Sequence, residues 1–201
     1  MRLIWLTVLC LSLAAPAVIA VAQTKPRVIN VTTDSAPDWI PSEELEAEAL
    51  GTLDRYFGAF GKGDDHSMWN LSTEGFKSLT TFAEFQSSSK AMRGNLGRLE
   101  KLSVVKITWS KDPARAPAKG IYAAIDISGR FSKTKRHCGF VILFKANPAD
   151  PFRIARIENN YFTDKDAQKI AKGQSPAEVE RLWNRLSSNC PNYKNPFATG
   201  K

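Results

Sequence analysis

Ile121-Tyr122-Ala123-Ala124-Ile125-Asp126-Ile127-Ser128-Gly129-Arg130-Phe131 reads as a half-buried strand. Ile121, Ala123, Ile125, Ile127 and Phe131 fall on one side of it, and Tyr122, Asp126 and Arg130 on the other. The same period of two flanks it in both directions. Upstream, Val105, Ile107 and Trp109 share a face within residues 103–109, and a loop over 111–119 containing Pro113 and Pro117 joins the two runs. Downstream, Ser132-Lys133-Thr134 turns the chain into a third run, where Cys138, Phe140, Ile142 and Phe144 alternate. Asn147-Pro148-Ala149-Asp150-Pro151 turns it again into a fourth, residues 154–162, whose alternation is less regular. Short links between successive strands predict a four-stranded antiparallel meander.

The period changes to that of a helix before and after the strands. Glu43, Glu44 and Glu46 crowd a helix start, where the backbone dipole favours negative charge. Leu45, Ala49, Leu53, Tyr56, Phe57 and Phe60 then recur at helical spacing until Gly61-Lys62-Gly63 ends the helix. Asp64 or Asp65 is placed to cap a short helix carrying Met68, Trp69 and Leu71. Thr81-Phe82-Ala83-Glu84 is a capping box, and its helix shows Phe85, Met92, Leu96 and Leu99 on one side. Ser175-Pro176-Ala177-Glu178 is a second box, opening a helix with Val179, Leu182, Trp183 and Leu186 in a stripe. Three helices followed by a four-stranded antiparallel sheet define an α+β fold with N-terminal helices on a curved sheet and an added C-terminal helix. We expect one domain over residues 43–190, a linker over 23–42 and a tail over 191–201.

Residues 1–22 carry an address. Arg2 precedes an apolar run from Leu3 to Ala15, Pro16 breaks it, and Ala20-Val21-Ala22 supplies small residues at a cleavage site. This is the pattern of a secretory signal peptide cleaved before Gln23, with a retained membrane anchor as the alternative. Export to the periplasm or beyond the cell places Cys138 and Cys190 where thiols oxidise. An intramolecular disulfide is the simplest reading, against free buried thiols or a bridge between chains. Removing residues 1–22 takes away Arg2, their one charged residue, and leaves 27 basic and 20 acidic residues, a net charge of +7. This modest excess suits weak contact with an anionic membrane surface. Without a long basic block it gives no support to nucleic-acid binding.

Several motifs together resemble a known group. They are Arg55-Tyr56-Phe57-Gly58-Ala59-Phe60-Gly61-Lys62-Gly63-Asp64 followed by Trp69, Phe76-Lys77 through Phe85 to Arg93-Gly94-Asn95-Leu96-Gly97, Gly120-Ile121-Tyr122, and Phe152-Arg153-Ile154 to Tyr161-Phe162. In order and spacing, over residues 45–163, they resemble the bacterial domain of unknown function 4019. Phe152 stands where that family has tryptophan, and Glu158-Asn159-Asn160 replaces a glycine. The resemblance implies a cone-like fold of the nuclear transport factor 2-like or cystatin-like kind, an envelope or secreted setting and a fold capable of homodimerisation. It implies no catalytic residues. The acceptor patterns Asn30-Val31-Thr32 and Asn70-Leu71-Ser72 carry no weight in a bacterial protein.

Candidate site residues are few. His66, following Asp64-Asp65, is a candidate acid–base group, or an exposed histidine beside a helix cap. Tyr122, Asp126 and Arg130 share one strand face, and Arg156, Glu158 and Asn160 share another. These line a polar pocket if that face is concave and form a solvated sheet surface if it is convex. His137 is expected on the exposed side. Lys133, Lys135 and Arg136 form a basic hairpin tip suited to phosphate or a solvated turn. Trp69, Trp109 and Trp183 read as core, and Trp39 as a residue docking on the domain or a partner. The two histidines and two cysteines lack metal-ligand spacing, and no cofactor motif is present. The expectation is a non-catalytic binding or interaction module for a small ligand or an envelope protein. The alternatives are a small-molecule enzyme using the cone pocket and a membrane-tethered envelope protein.

Overall fold

A computed structural model describes residues 29–31, 36 and 38–198. The signal segment and most of the linker lie outside these residues. Eleven elements follow in order. Strand β1 spans Ile29–Val31, and helices α1 to α4 span Glu43–Lys62, Asp65–Asn70, Glu74–Lys77 and Phe82–Leu96. Strands β2 to β5 span Leu99–Lys111, Ile121–Phe131, Arg136–Lys145 and Arg153–Phe162, and helices α5 and α6 span Asp164–Gly173 and Pro176–Ser187. The sheet order is β1-β2-β3-β4-β5, antiparallel from β2 to β5 as the meander requires. The fold is therefore α+β. Strand β1, inside the stretch read as a linker, pairs in parallel with β2.

Caps set the helix boundaries. The Ser42 hydroxyl accepts from the Leu45 amide at 3.3 Å, and Gly63, at φ 72°, closes α1 in the left-handed conformation that glycine adopts without strain. At α4 both halves of the capping box form between Thr81 and Glu84. At α6 only the Ser175 half forms, because the Glu178 carboxylate turns instead to Arg181.

Helices α1 to α4 cover one face of the sheet. Ala49, Leu53, Tyr56, Phe57 and Phe60 of α1 meet Ile107 and Trp109 of β2, Ala123, Ile125 and Ile127 of β3, Val141 and Leu143 of β4, and Ile154 of β5. Enclosing a side chain such as Leu53 or Ile125 contributes about 2 kcal/mol. A register shift between Ile142 and Leu143 explains the weak alternation of β5, since it offsets Ile154 from Ile157 while both face inward. Trp109 is fully enclosed, Trp69 packs partly buried, and Trp39 docks edge-on against Trp109 with ring centroids 6.3 Å apart.

The opposite face is covered at one end by α6 and residues 190–197. Cys138 and Cys190 form a disulfide, around which Trp183, Tyr193 and Phe197 make a second, smaller core. The stretch after Cys190, read as a tail, is thus packed on the domain as far as Phe197. Helix α5 was not expected: its inward positions hold little beyond Ala167 and Ile170, too few to mark a stripe.

Candidate functional site

The polar residues singled out in the sequence do not converge. His66 is exposed on α2 and stacks on Phe82, with ring centroids 4.3 Å apart. Asp64 caps α2 through the Ser67 amide at 2.9 Å. Its neighbour Asp65 is buried and paired with Arg93. Tyr122, Asp126 and Arg130 share the outer face, spaced about 14 Å apart along the strand, and each has a separate partner. The Tyr122 hydroxyl donates to the Ala118 carbonyl at 2.8 Å, and Arg130 lies 3.4 Å from Glu100. Asp126 lies beneath the C-terminal segment and accepts from Asn192 at 2.6 Å. Burial pushes its carboxyl above the ordinary value, against the Asn192 hydrogen bond and the charge of Lys106.

On β5, Arg156 pairs with Glu158, and Asn160 reaches the Cys190 sulfur. At the basic turn, Lys133 donates to the Gly94 carbonyl at 3.0 Å, while Arg136 pairs with Glu180 and lies over the Phe197 ring.

His137 is not on the exposed side. It is 1% exposed and faces the helices, in the same parity along β4 as Val141 and Leu143. Its Nε2 lies 3.0 Å from Asn159 Oδ1, and its ring stands edge-on to Phe131. Burial drives its pKa down to about 4, partly offset by the Asn159 contact, so the imidazole is neutral at pH 7. The reason is periodicity: the strand's alternation outweighs the polar character of a side chain that finds one partner inside.

Next to this pair, enclosed by the helical layer, is a cavity of about 140 Å³. Tyr56, Phe57 and Phe60 of α1, Met68 of α2, Phe76 of α3 and Phe85, Ser89, Met92 and Leu96 of α4 form most of its wall, and Ile157 and Asn159 of β5 its floor. Of the lining residues, Phe76 of α3 is half-buried and Ser88 of α4 exposed. Neighbouring rings along the wall meet edge to face: Phe57 with Phe60 at 6.3 Å and Phe76 with Phe85 at 6.0 Å. Among the described residues lining the cavity none is Asp, Glu, His, Lys, Arg or Cys.

The sequence held one signal for this space. Phe85, Ser89, Met92 and Leu96 occupy one helical stripe, and Ser89 is the small residue in it. A serine where a large apolar side chain would complete the wall leaves room. A wider depression of about 740 Å³ between α3 and the β4–β5 turn is open to solvent and mixes Lys77 and Arg153 with Glu74 and Asp150. Among the described residues, no group of three or more His, Cys, Asp or Glu side chains is placed to hold a metal ion.

Helices over one face of a meander, with a small apolar cavity between them, define the class of domain. The chain belongs to the family described as "Protein of unknown function (DUF4019)", whose model matches residues 53–155, about half of the 201 residues. No curated protein and no solved structure shows a significant match.

Proposed function

We propose that this protein is an exported, non-catalytic binding module whose interior cavity holds a small apolar molecule. The observation that carries the reading is the composition of the cavity wall. Aromatic, methionine and leucine side chains supply dispersion contacts, and the hydroxyls of Tyr56, Ser88 and Ser89 have no carboxylate, imidazole, amine or thiol beside them on the wall to activate them for chemistry. The groups with catalytic potential, His66 and Asp126, are elsewhere and already engaged. Export is supported by the residue 1–22 pattern and fits the Cys138–Cys190 disulfide. Among the described residues no helix is long and apolar enough to cross a membrane.

The test is binding of toluene to the purified protein, followed by the NMR signals of the Met68 and Met92 methyl groups. Saturable shifts of both methyls, abolished by Ser89→Phe, are expected. Signals that stay unmoved at millimolar toluene overturn the reading.

A further inference from the structure

We infer that the cavity takes an uncharged single-ring molecule bearing one hydroxyl or carbonyl group, anchored by the hydroxyls of Tyr56 and Ser89. The inference rests on the binding reading above and adds to it the chemistry of the ligand. Three observations lead to it.

The first is size. A space of about 140 Å³ compares with the roughly 150 Å³ apolar cavities that admit benzene, so one ring fits and two do not.

The second is a pair of hydrogen-bonding groups left over in an otherwise apolar wall. Tyr56 is 4% and Ser89 6% exposed, both line the cavity, and no described protein group hydrogen-bonds either hydroxyl. A helical serine ordinarily bonds back to a carbonyl one turn earlier. Ser89 does not, although Ser72 at the end of α2 does so to Met68. Neither oxygen is sealed within protein: both keep access to open space, so a ligand oxygen entering the cavity they line is placed to bond them. Asn159, by contrast, is committed to His137 and Met92.

The third is electrostatic. Burial and the nearby Asp65 charge push the Tyr56 phenol above its ordinary value, so it remains a neutral donor. Asp65 itself is neutralised by Arg93, and His137 carries no charge at pH 7. Nothing on the wall compensates an ammonium or a carboxylate, whose desolvation would then go unrepaid.

The probes are phenol, toluene and benzoate, titrated into the full chain and read by the Met68 and Met92 methyl signals. Phenol is expected to bind about five- to tenfold more tightly than toluene, the value of one hydrogen bond, and benzoate at least tenfold more weakly than phenol. In Tyr56→Phe combined with Ser89→Ala, the preference for phenol is expected to vanish while toluene binding persists, which shows the cavity intact. Toluene binding as tightly as phenol to the unaltered protein, or benzoate equalling phenol, overturns this inference and leaves the apolar binding reading standing. Failure of both toluene and phenol to bind removes the binding reading and the inference together.

Discussion

Asp65 and Arg93, 28 positions apart, meet in a two-pronged ion pair that fastens α2 to α4: Nη1 to Oδ1 at 2.6 Å and Nη2 to Oδ2 at 3.1 Å. The carboxylate is 6% exposed and the guanidinium lies over the Phe60 ring. Met68 of α2 and Phe85, Met92 and Leu96 of α4 line the cavity, so this pair ties together two of the elements that form its wall.

Arg93→Met therefore strands a buried carboxylate and is expected to cost about 3 kcal/mol, the scale for breaking one partner of a buried pair. The double variant Asp65→Asn, Arg93→Met loses less than Arg93→Met alone, and Arg93→Lys recovers only part because an ammonium cannot fork. Urea denaturation midpoints of the three proteins check this. Equal losses in the single and double variants contradict it.

Removing the Cys138–Cys190 bond frees a loop of 52 positions. The chain-entropy model puts the loss at about 4 kcal/mol. Its effect is expected to be regional, because the second core of Trp183, Tyr193 and Phe197 is built around the two sulfurs. Native-state hydrogen exchange on Cys138→Ser, Cys190→Ser should show α6 amides opening well before those of β3. Uniform loss of protection across the sheet argues against a separate C-terminal unit.

His137 gives a pH dependence of known sign. Its folded pKa, about 4, is below the ordinary 6.5, so between these values the unfolded chain binds a proton that the folded chain does not. Stability consequently falls as pH drops from 6.5 towards 4, by at most about 3 kcal/mol. Denaturation free energies measured at pH 7 and pH 5 are expected to differ in this direction, and His137→Gln to flatten the slope. A slope unchanged in the variant assigns the effect to other groups.

Two glycines should respond oppositely to alanine. A Cβ at Gly129 would meet the Phe131 ring at 2.6 Å and His137 Nδ1 at 2.8 Å, so Gly129→Ala is expected to cost about 1–3 kcal/mol. At Gly94, in the last turns of α4, a Cβ meets nothing within 4 Å, and Gly94→Ala should stabilise by about 0.5–1 kcal/mol. Thermal melting separates the two signs.

The helices α1, α4 and α6 were legible from apolar stripes and their acidic or capped starts, strands β2 to β4 from alternations of three to five apolar residues, and β5 from the two-proline turn before it. Helix α5 and strand β1 lacked such runs. His137 was misplaced by its polarity although its parity with Val141 and Leu143 was on view. The partners of Asp126 and Arg136 were invisible for another reason: Asn192 and Glu180 approach from 66 and 44 positions away, and only the docked C-terminal segment brings them there. A cavity is likewise a property of several elements at once, so the Ser89 gap in a helical stripe acquires meaning only when α1 and β5 are set beside it.

The borders of the sheet remain. On one side β1 lies along β2, pairing Ile29, Asn30 and Val31 with Ile107, Thr108 and Trp109. On the other, the chain after α2 lies along the start of β5: the Ile154 amide donates to the Leu71 carbonyl, and the Thr73 amide to that of Ile154, each at 2.8 Å. Open strand edges are templates on which foreign chains add and fibrils grow. Here the outermost backbone groups are partly occupied on both sides by the protein's own chain, which limits self-assembly by strand addition in a compartment crowded with other folding polypeptides.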